Sequence, residues 1–170
     1  MEKKEGDFMK FVVFSDAHGN KDIVDWILDV NKDADYVISL GDSGLHHDYL
    51  LNRDIVHVKG NIGQDPGFVY DNKIEDAGKR IFLTHGHKYK VHKTLDKLYK
   101  KGVSEDYDIV LFGHTHKIHK SKAAATLFVN PGSCWQSNDG NPPSYAIIVI
   151  DGKDVDVTFK RVYTDVTIEV

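Results

Sequence analysis

Five short apolar runs in this chain end in the same way. Phe11–Phe14 leads into Ser15-Asp16-Ala17-His18-Gly19-Asn20, and Tyr36–Leu40 into Gly41-Asp42. Ile55–Val58 leads into Lys59-Gly60-Asn61, Arg80–Thr84 into His85-Gly86-His87, and Asp108–Phe112 into Gly113-His114-Thr115-His116. The runs are short, β-branched and aromatic, the signature of buried strands. Glycine beside the polar residues lets the backbone turn sharply and approach a site closely. In an open α/β sheet, ligands bind beyond the carboxyl ends of the strands. If these ends converge, one rim collects two carboxylates, an amide and up to five imidazoles.

The rest of the chain fills in around those runs. Lys21–Val30 carries Ile23, Val24, Trp26, Ile27 and Val30 at helical spacing, with Asp22 expected as its cap. Gly44–Asn52 reads as ambiguous, with a short helix as one option. Phe68–Ile74 and Arg80–Thr84 read as paired strands, and Val91–Lys101 as a helix stopped by Gly102. Thr126–Val129 is a further strand, running into Asn130-Pro131-Gly132-Ser133. Tyr145–Ile150 and Val155–Val162 flank Asp151-Gly152, a hairpin signal, and Thr167–Val170 is a candidate edge strand. Alternating strand and helix, then mostly strand, predicts mixed sheets with helices outside.

Length and composition set the outer bounds. The 170 residues show no repeat or composition shift, so one domain is expected over 9–170, after a flexible leader over 1–8. Hydrophobic content of 41% and charged content of 28% are ordinary for a soluble globular protein. A net charge of -4 gives no strong nucleic-acid footprint. No apolar run is long enough to cross a membrane, and the charged start lacks the apolar stretch of a secretory signal. The single cysteine, Cys134, permits no intrachain disulfide and no cysteine-rich zinc site, which fits a cytoplasmic setting. Homo-oligomerisation stays open.

The polar endings have the chemistry of a metal site. A structural sheet has no reason to gather carboxylates, an amide and imidazoles at one edge, whereas divalent metal binding does. Seven candidates, Asp16, His18, Asp42, Asn61, His85, His114 and His116, exceed what one first-row ion takes, which argues for two ions. Mixed oxygen and nitrogen donors suit Mn first, with Fe, Zn, Ni or Co as options, better than Ca, Mg or Cu(I).

In these pieces the chain resembles the calcineurin-like metallophosphoesterases, in their small single-domain phosphodiesterase branch. Ser15–Asn20, Gly41-Asp42, Gly60-Asn61, Thr84–His87, Gly113–His116 and Asn130–Ser133 occur in the family's order. The resemblance implies a four-layer α-β-β-α sandwich with two mixed β-sheets and the metal site at the carboxyl ends of the strands. It implies that Asp16, His18 and His116 bind one ion, that Asn61, His85 and His114 bind the other, and that Asp42 bridges. It implies hydrolysis of a small phosphodiester or nucleotide substrate by a bridging hydroxide, with Asn61 also touching the phosphate. Two departures stand out. Ile62 occupies a position where many members carry a histidine, which leaves His18 and His87 as candidates to protonate the leaving group. Residues 134–140 contain no arginine, which related chains often place there.

Other residues invite blander readings. His46 and His47 are expected as loop residues, His57 as structural, and His92 and His119 as surface. Cys134 is expected in the core, Asn130 as a turn residue supporting the rim, and Lys88–Lys101 as a solvated basic face. Trp26 is expected in the core, while Trp135 beside the rim is a candidate to stack on a substrate base. Against the phosphoesterase stand two other classes: a protein-interaction scaffold of the retromer-subunit kind, and a metal- or nucleotide-binding module without turnover. An intact ligand set separates the enzyme from the scaffold.

Overall fold

The computed structural model describes residues 8–63 and 67–170; the expected leader, apart from Phe8, lies outside them. The elements are β1 (Met9–Phe14), α1 (Lys21–Val30), β2 (Tyr36–Ser39), α2 (His47–Leu51), β3 (Ile55–His57), β4 (Asp71–Asp76), β5 (Lys79–Thr84), α3 (Asp96–Ser104), β6 (Ile109–Leu111), β7 (Ile118–Ala123), β8 (Thr126–Pro131), β9 (Ser144–Asp151), β10 (Asp154–Arg161) and β11 (Thr167–Ile168). They form a six-stranded sheet in the order β11-β10-β9-β1-β2-β3 and a five-stranded sheet in the order β4-β5-β6-β8-β7. Both are mixed: β1-β2-β3 and β5-β6-β8 run parallel, and the remaining pairs antiparallel. Among the described residues no helix is long and apolar enough to cross a membrane.

Strand periodicity builds the layers. Successive side chains point to opposite faces, so Phe11 and Val13 meet Leu83, Leu111 and Val129 of the other sheet. Val12 and Phe14 turn the other way, onto Ile23, Val24 and Ile27 of α1. On the far side, Phe82, Val110 and Phe128 pack under Leu98 of α3. Strands buried on both faces read as unbroken apolar runs, which is why the sequence marks them so clearly. The result is the α-β-β-α sandwich.

Local readings shift in a few places. α1 is capped by Asn20, whose Oδ1 accepts from Ile23 N at 3.3 Å, while Asp22 sits in the first turn, where its charge favours the helix N-terminus. α3 begins at Asp96 instead of Val91, because Lys90 takes a left-handed φ of 57° and the Thr94 hydroxyl accepts from Asp96 N at 3.0 Å. Val91 and Leu95 still join the α3 core, but from a turn. β4 starts at Asp71, three residues later than expected, and β7 is a strand the pattern did not mark. β7 reads Ile-His-Lys-Ser-Lys-Ala, a polar edge strand whose lysines discourage further pairing. His119 is half-buried instead of on the surface, with its ring 5.7 Å from Phe112.

Gly102 lies inside α3 and does not stop it. A Cβ there would come within 2.8 Å of Phe128 Cζ and Val110 Cγ2. Gly102→Ala is therefore expected to lower stability by about 1–3 kcal/mol despite alanine's better helix propensity. Chemical denaturation checks this, and a midpoint equal to or above that of the parent chain would contradict the close-packing account.

Candidate metal centre

The loops after β1, β2, β3, β5 and β6 meet at one end of the sandwich, as strand polarity requires. Asp16, His18, Asp42, His114 and His116 all have left-handed backbones, with φ between 47° and 70°. Non-glycine residues reach this region at a cost of about 1 kcal/mol or more each and persist only when neighbours fix them. The neighbours here are loop-to-loop hydrogen bonds: Asp16 N donates to Gly41 O (3.1 Å), His18 N to Asp42 O (3.0 Å) and Gly19 N to Ser43 O (2.7 Å). The first two strand endings thus brace one another.

Two ligand groups result, one of Asp16, His18 and His116, the other of Asp42, His85 and His114. Within the first, His18 Nε2 faces His116 Nε2 at 3.4 Å, and Asp16 Oδ1 lies 3.3 Å from His116 Nε2. Within the second, His85 Nε2 is 3.2 Å from both Asp42 Oδ2 and His114 Nδ1. Asn61 Oδ1 lies 3.0 Å from the same His85 nitrogen. Asp16 Oδ1 is also 3.8 Å from His85 Nε2, so the groups adjoin.

The supporting contacts orient these atoms. Nδ1 of His85 bonds Leu40 O at 2.7 Å and Nδ1 of His116 bonds Gln136 O at 2.8 Å, which turns each Nε2 inward. Asp16 Oδ2 accepts from Ser15 Oγ (2.6 Å) and His114 N (3.2 Å), and Asp42 Oδ1 accepts from Ile62 N (2.8 Å). Ser133 Oγ donates to Asp16 O at 3.0 Å, and Asn130 Nδ2 holds Gly113 O at 3.0 Å. Ser15, Leu40, Ser133 and Gln136 were not singled out by sequence reasoning. Ser15 and Ser133 belong to the quoted motif pieces but were given no role of their own, whereas a backbone carbonyl such as that of Leu40 or Gln136 leaves no signal.

Among the described residues Asp16 Oδ1 is fully buried and accepts no hydrogen bond, although His116 Nε2 lies 3.3 Å away. An unpaired buried carboxylate oxygen is costly. Imidazole nitrogens that face each other and a carboxylate are the donor set a divalent cation takes. Each group therefore has the donor chemistry that suits a divalent metal ion. Their electrostatics agree. Burial opposes charge on His85, but the hydrogen bond to Asp42 and the nearby Asp16 outweigh it and raise its pKa. Burial also works against the charged Asp42, yet His85 and the Ile62 N–H hold its carboxyl below the usual range. On His116, Asp16 overcomes burial and raises the pKa. Burial and the neighbouring His85 lower those of His87 and His114. The carboxylates demand positive charge between them, and a cation meets that demand as a proton does.

The remaining candidates divide. His87 opens a single 3₁₀ turn beside the centre, with its ring 5.4 Å from His85 and 6.1 Å from His114, and its buried Nδ1 has no hydrogen-bond partner among the described residues. His92 is exposed but stands 5.6 Å from the His114 ring, closer to the centre than a bare surface reading implies. His46 lines a 190 Å³ groove with Asp42, Lys59 and Ile62, while His47 packs with His57 and Phe68. Cys134 is buried, and burial pushes its thiol pKa well up, so it offers no thiolate.

This fold, with candidate ligand groups at its strand ends, is that of the metallophosphoesterases. The profile of the calcineurin-like phosphoesterase superfamily domain matches residues 9–153, and the chain belongs to that family. Its relatives include the probable metallophosphoesterase YsnB of Bacillus subtilis, 27% identical over 152 residues, covering 89% of this chain and 90% of that one. A solved structure of a predicted phosphoesterase from Streptococcus pneumoniae superposes with a TM-score of 0.86 at 30% identity, covering 96% of this chain and 98% of the other. The zinc complex of Vps29 from Entamoeba histolytica shares the fold at a TM-score of 0.75 and 22% identity, over 94% and 96% of the two chains.

Proposed function

We propose that this metallophosphoesterase hydrolyses phosphodiesters at a dinuclear centre. The observation that carries the reading is the buried Asp16 Oδ1, which accepts no hydrogen bond among the described residues and is set among facing imidazole nitrogens. Asp16, His18 and His116 would hold one ion and Asn61, His85 and His114 the other, with Asp42 shared. Divalent ions supply Lewis acidity toward the phosphoryl oxygens and make a bound water acidic enough to serve as nucleophile near neutral pH.

The chain's own residues supply the rest. Asn61 turns Oδ1 toward His85, which leaves its NH₂ to donate to a phosphate oxygen. His18 directs Nε2 at the ligand group and so spends the nitrogen a proton donor needs. His87, beside the centre but outside both ligand groups, is the better-placed donor to the leaving group. A diester bears one negative charge and two substituents. Ile62 and Trp135, the exposed residues beside Asn61 and His18, suit the second substituent better than a second charge.

The test removes metal with chelator, reconstitutes with Mn²⁺, and compares bis(p-nitrophenyl) phosphate with p-nitrophenyl phosphate. Activity should disappear and return with metal, with the higher kcat/KM on the diester. Faster monoester turnover would overturn the diesterase preference. No hydrolysis by chain carrying two ions would favour the scaffold or a binding module. His87→Ala should slow diesters with alkyl leaving groups about 10²-fold and spare p-nitrophenolate release, which needs no proton donor. Equal losses on both would remove His87 from that role.

A further inference from the structure

Trp135 is a large exposed side chain beside the centre, with a relative exposure of 45%. Its ring lies 5.4 Å from that of His18, and His18 in turn faces His116. The loop beneath it is braced at several points. Ser133 Oγ accepts from Trp135 N at 3.1 Å and from Gln136 N at 2.9 Å while donating to Asp16 O. Cys134 N donates to Ser15 O at 3.1 Å, with its side chain buried, and Gln136 O holds His116 Nδ1. The backbone beneath the indole is therefore tied to the loops that carry Asp16 and His116. An aromatic group held rigid before binding loses little conformational entropy when a ligand packs on it. Residues 134–140 carry no basic side chain, so this side of the rim offers a π face instead of positive charge. The exposed Gln136 carboxamide follows directly, a donor and acceptor suited to the edge of a planar heterocycle.

We propose that Trp135 is a stacking platform for the nucleobase of a nucleoside phosphodiester, one imidazole away from where the phosphate is held. The proposal rests on the phosphodiesterase reading above and adds a substrate class to it. The sugar of a nucleotide spans the gap between a phosphate at the centre and a base on the indole. Stacking on an aromatic side chain tolerates any base, so the platform selects for a base and does not select among them.

Two substrates with one leaving group separate this role from simple support of His18: thymidine 5′-(p-nitrophenyl phosphate) and methyl p-nitrophenyl phosphate. In Trp135→Ala the ratio of their kcat/KM values should fall about tenfold, mainly through KM for the thymidine ester, and Trp135→Phe should recover most of it. If both substrates lose activity equally, the indole only positions His18 and the proposal fails. An equilibrium measurement needs no turnover. Thymidine 5′-monophosphate should quench tryptophan fluorescence of the zinc-loaded parent chain, and the saturable part should vanish in Trp135→Phe. Quenching without hydrolysis of either ester would retain the platform and overturn the phosphodiesterase reading. No quenching, with an unchanged substrate ratio in Trp135→Ala, would overturn the platform alone.

Discussion

Asp42→Ala is expected to abolish metal-dependent hydrolysis, with a loss of at least about 10³-fold, and to cut bound metal from the two ions per chain proposed above to at most one. The carboxylate is almost fully buried and stands 3.2 Å from His85 Nε2. Its other oxygen accepts from Ile62 N and so fixes the chain around Asn61. On the proposed arrangement, removing it deletes the shared ligand and loosens Asn61, the proposed ligand beside it. Asp42→Asn separates these effects, since an amide oxygen still accepts from Ile62 N while the charge is gone. The asparagine variant should melt like the parent when metal-free and still fail to hold both ions. Full turnover by either variant would show that Asp42 is not shared between the ions.

Gly60→Ala should reproduce much of that loss without replacing a proposed ligand. A Cβ at Gly60 would overlap Asp42 Oδ1 and approach the Asp42 backbone nitrogen closely. The backbone there cannot retreat cheaply, because Asp42 O accepts from His18 N at 3.0 Å. Overpacking of this kind costs about 1–3 kcal/mol, and in a chain of this length each kcal/mol lowers Tm by roughly 2–4 °C. Metal content should fall together with Tm. If the clash acts through the Asp42 side chain, Gly60→Ala should cost less in an Asp42→Ala background, a non-additivity expected of touching residues. Additive penalties would mean that Gly60 matters for its own backbone alone. The same logic applies at Gly113, where a Cβ would overlap Ser15 Oγ and press on Asp16 Oδ2 at 3.1 Å. The glycines of Gly60-Asn61 and Gly113-His114 serve less to bend the chain than to leave room for carboxylates.

Much of the architecture was legible because burial on two faces writes unbroken apolar runs into a sequence. β1, β2, β3, β5 and β6 were found within a residue or two of their ends on that signal. β7 was missed because an edge strand is partly solvated and its composition is polar. The start of α3 was misplaced because Val91 and Leu95 have helical spacing but are held by a turn, with Val91 filling the space beside Gly86. Sequence spacing registers which residues face a core, not how the chain reaches it. His92 was read as a surface residue and is exposed, but its nearness to the His114 ring carried no sequence signal, because it comes from the turn that precedes α3.

The sequence by itself determined the seven candidate ligand residues and their order, since each follows a strand that hydrophobic pattern identifies. It also determined that a single cysteine allows neither an intrachain disulfide nor a cysteine-rich zinc site. The family resemblance already implied a division among them, and the tertiary structure gives the contacts behind it. Asp16 joins His116, 100 positions later, and Asp42 joins His85 and His114, because two sheets stacked face to face bring their carboxyl ends to one rim. Only the tertiary structure decided which atoms face inward, through Leu40 O, Gln136 O, Ser15 Oγ and Ser133 Oγ. Backbone carbonyls belong to every residue and left-handed turns need neighbours to hold them. Neither can be read from a residue's identity, and both are set by the chain that packs against it.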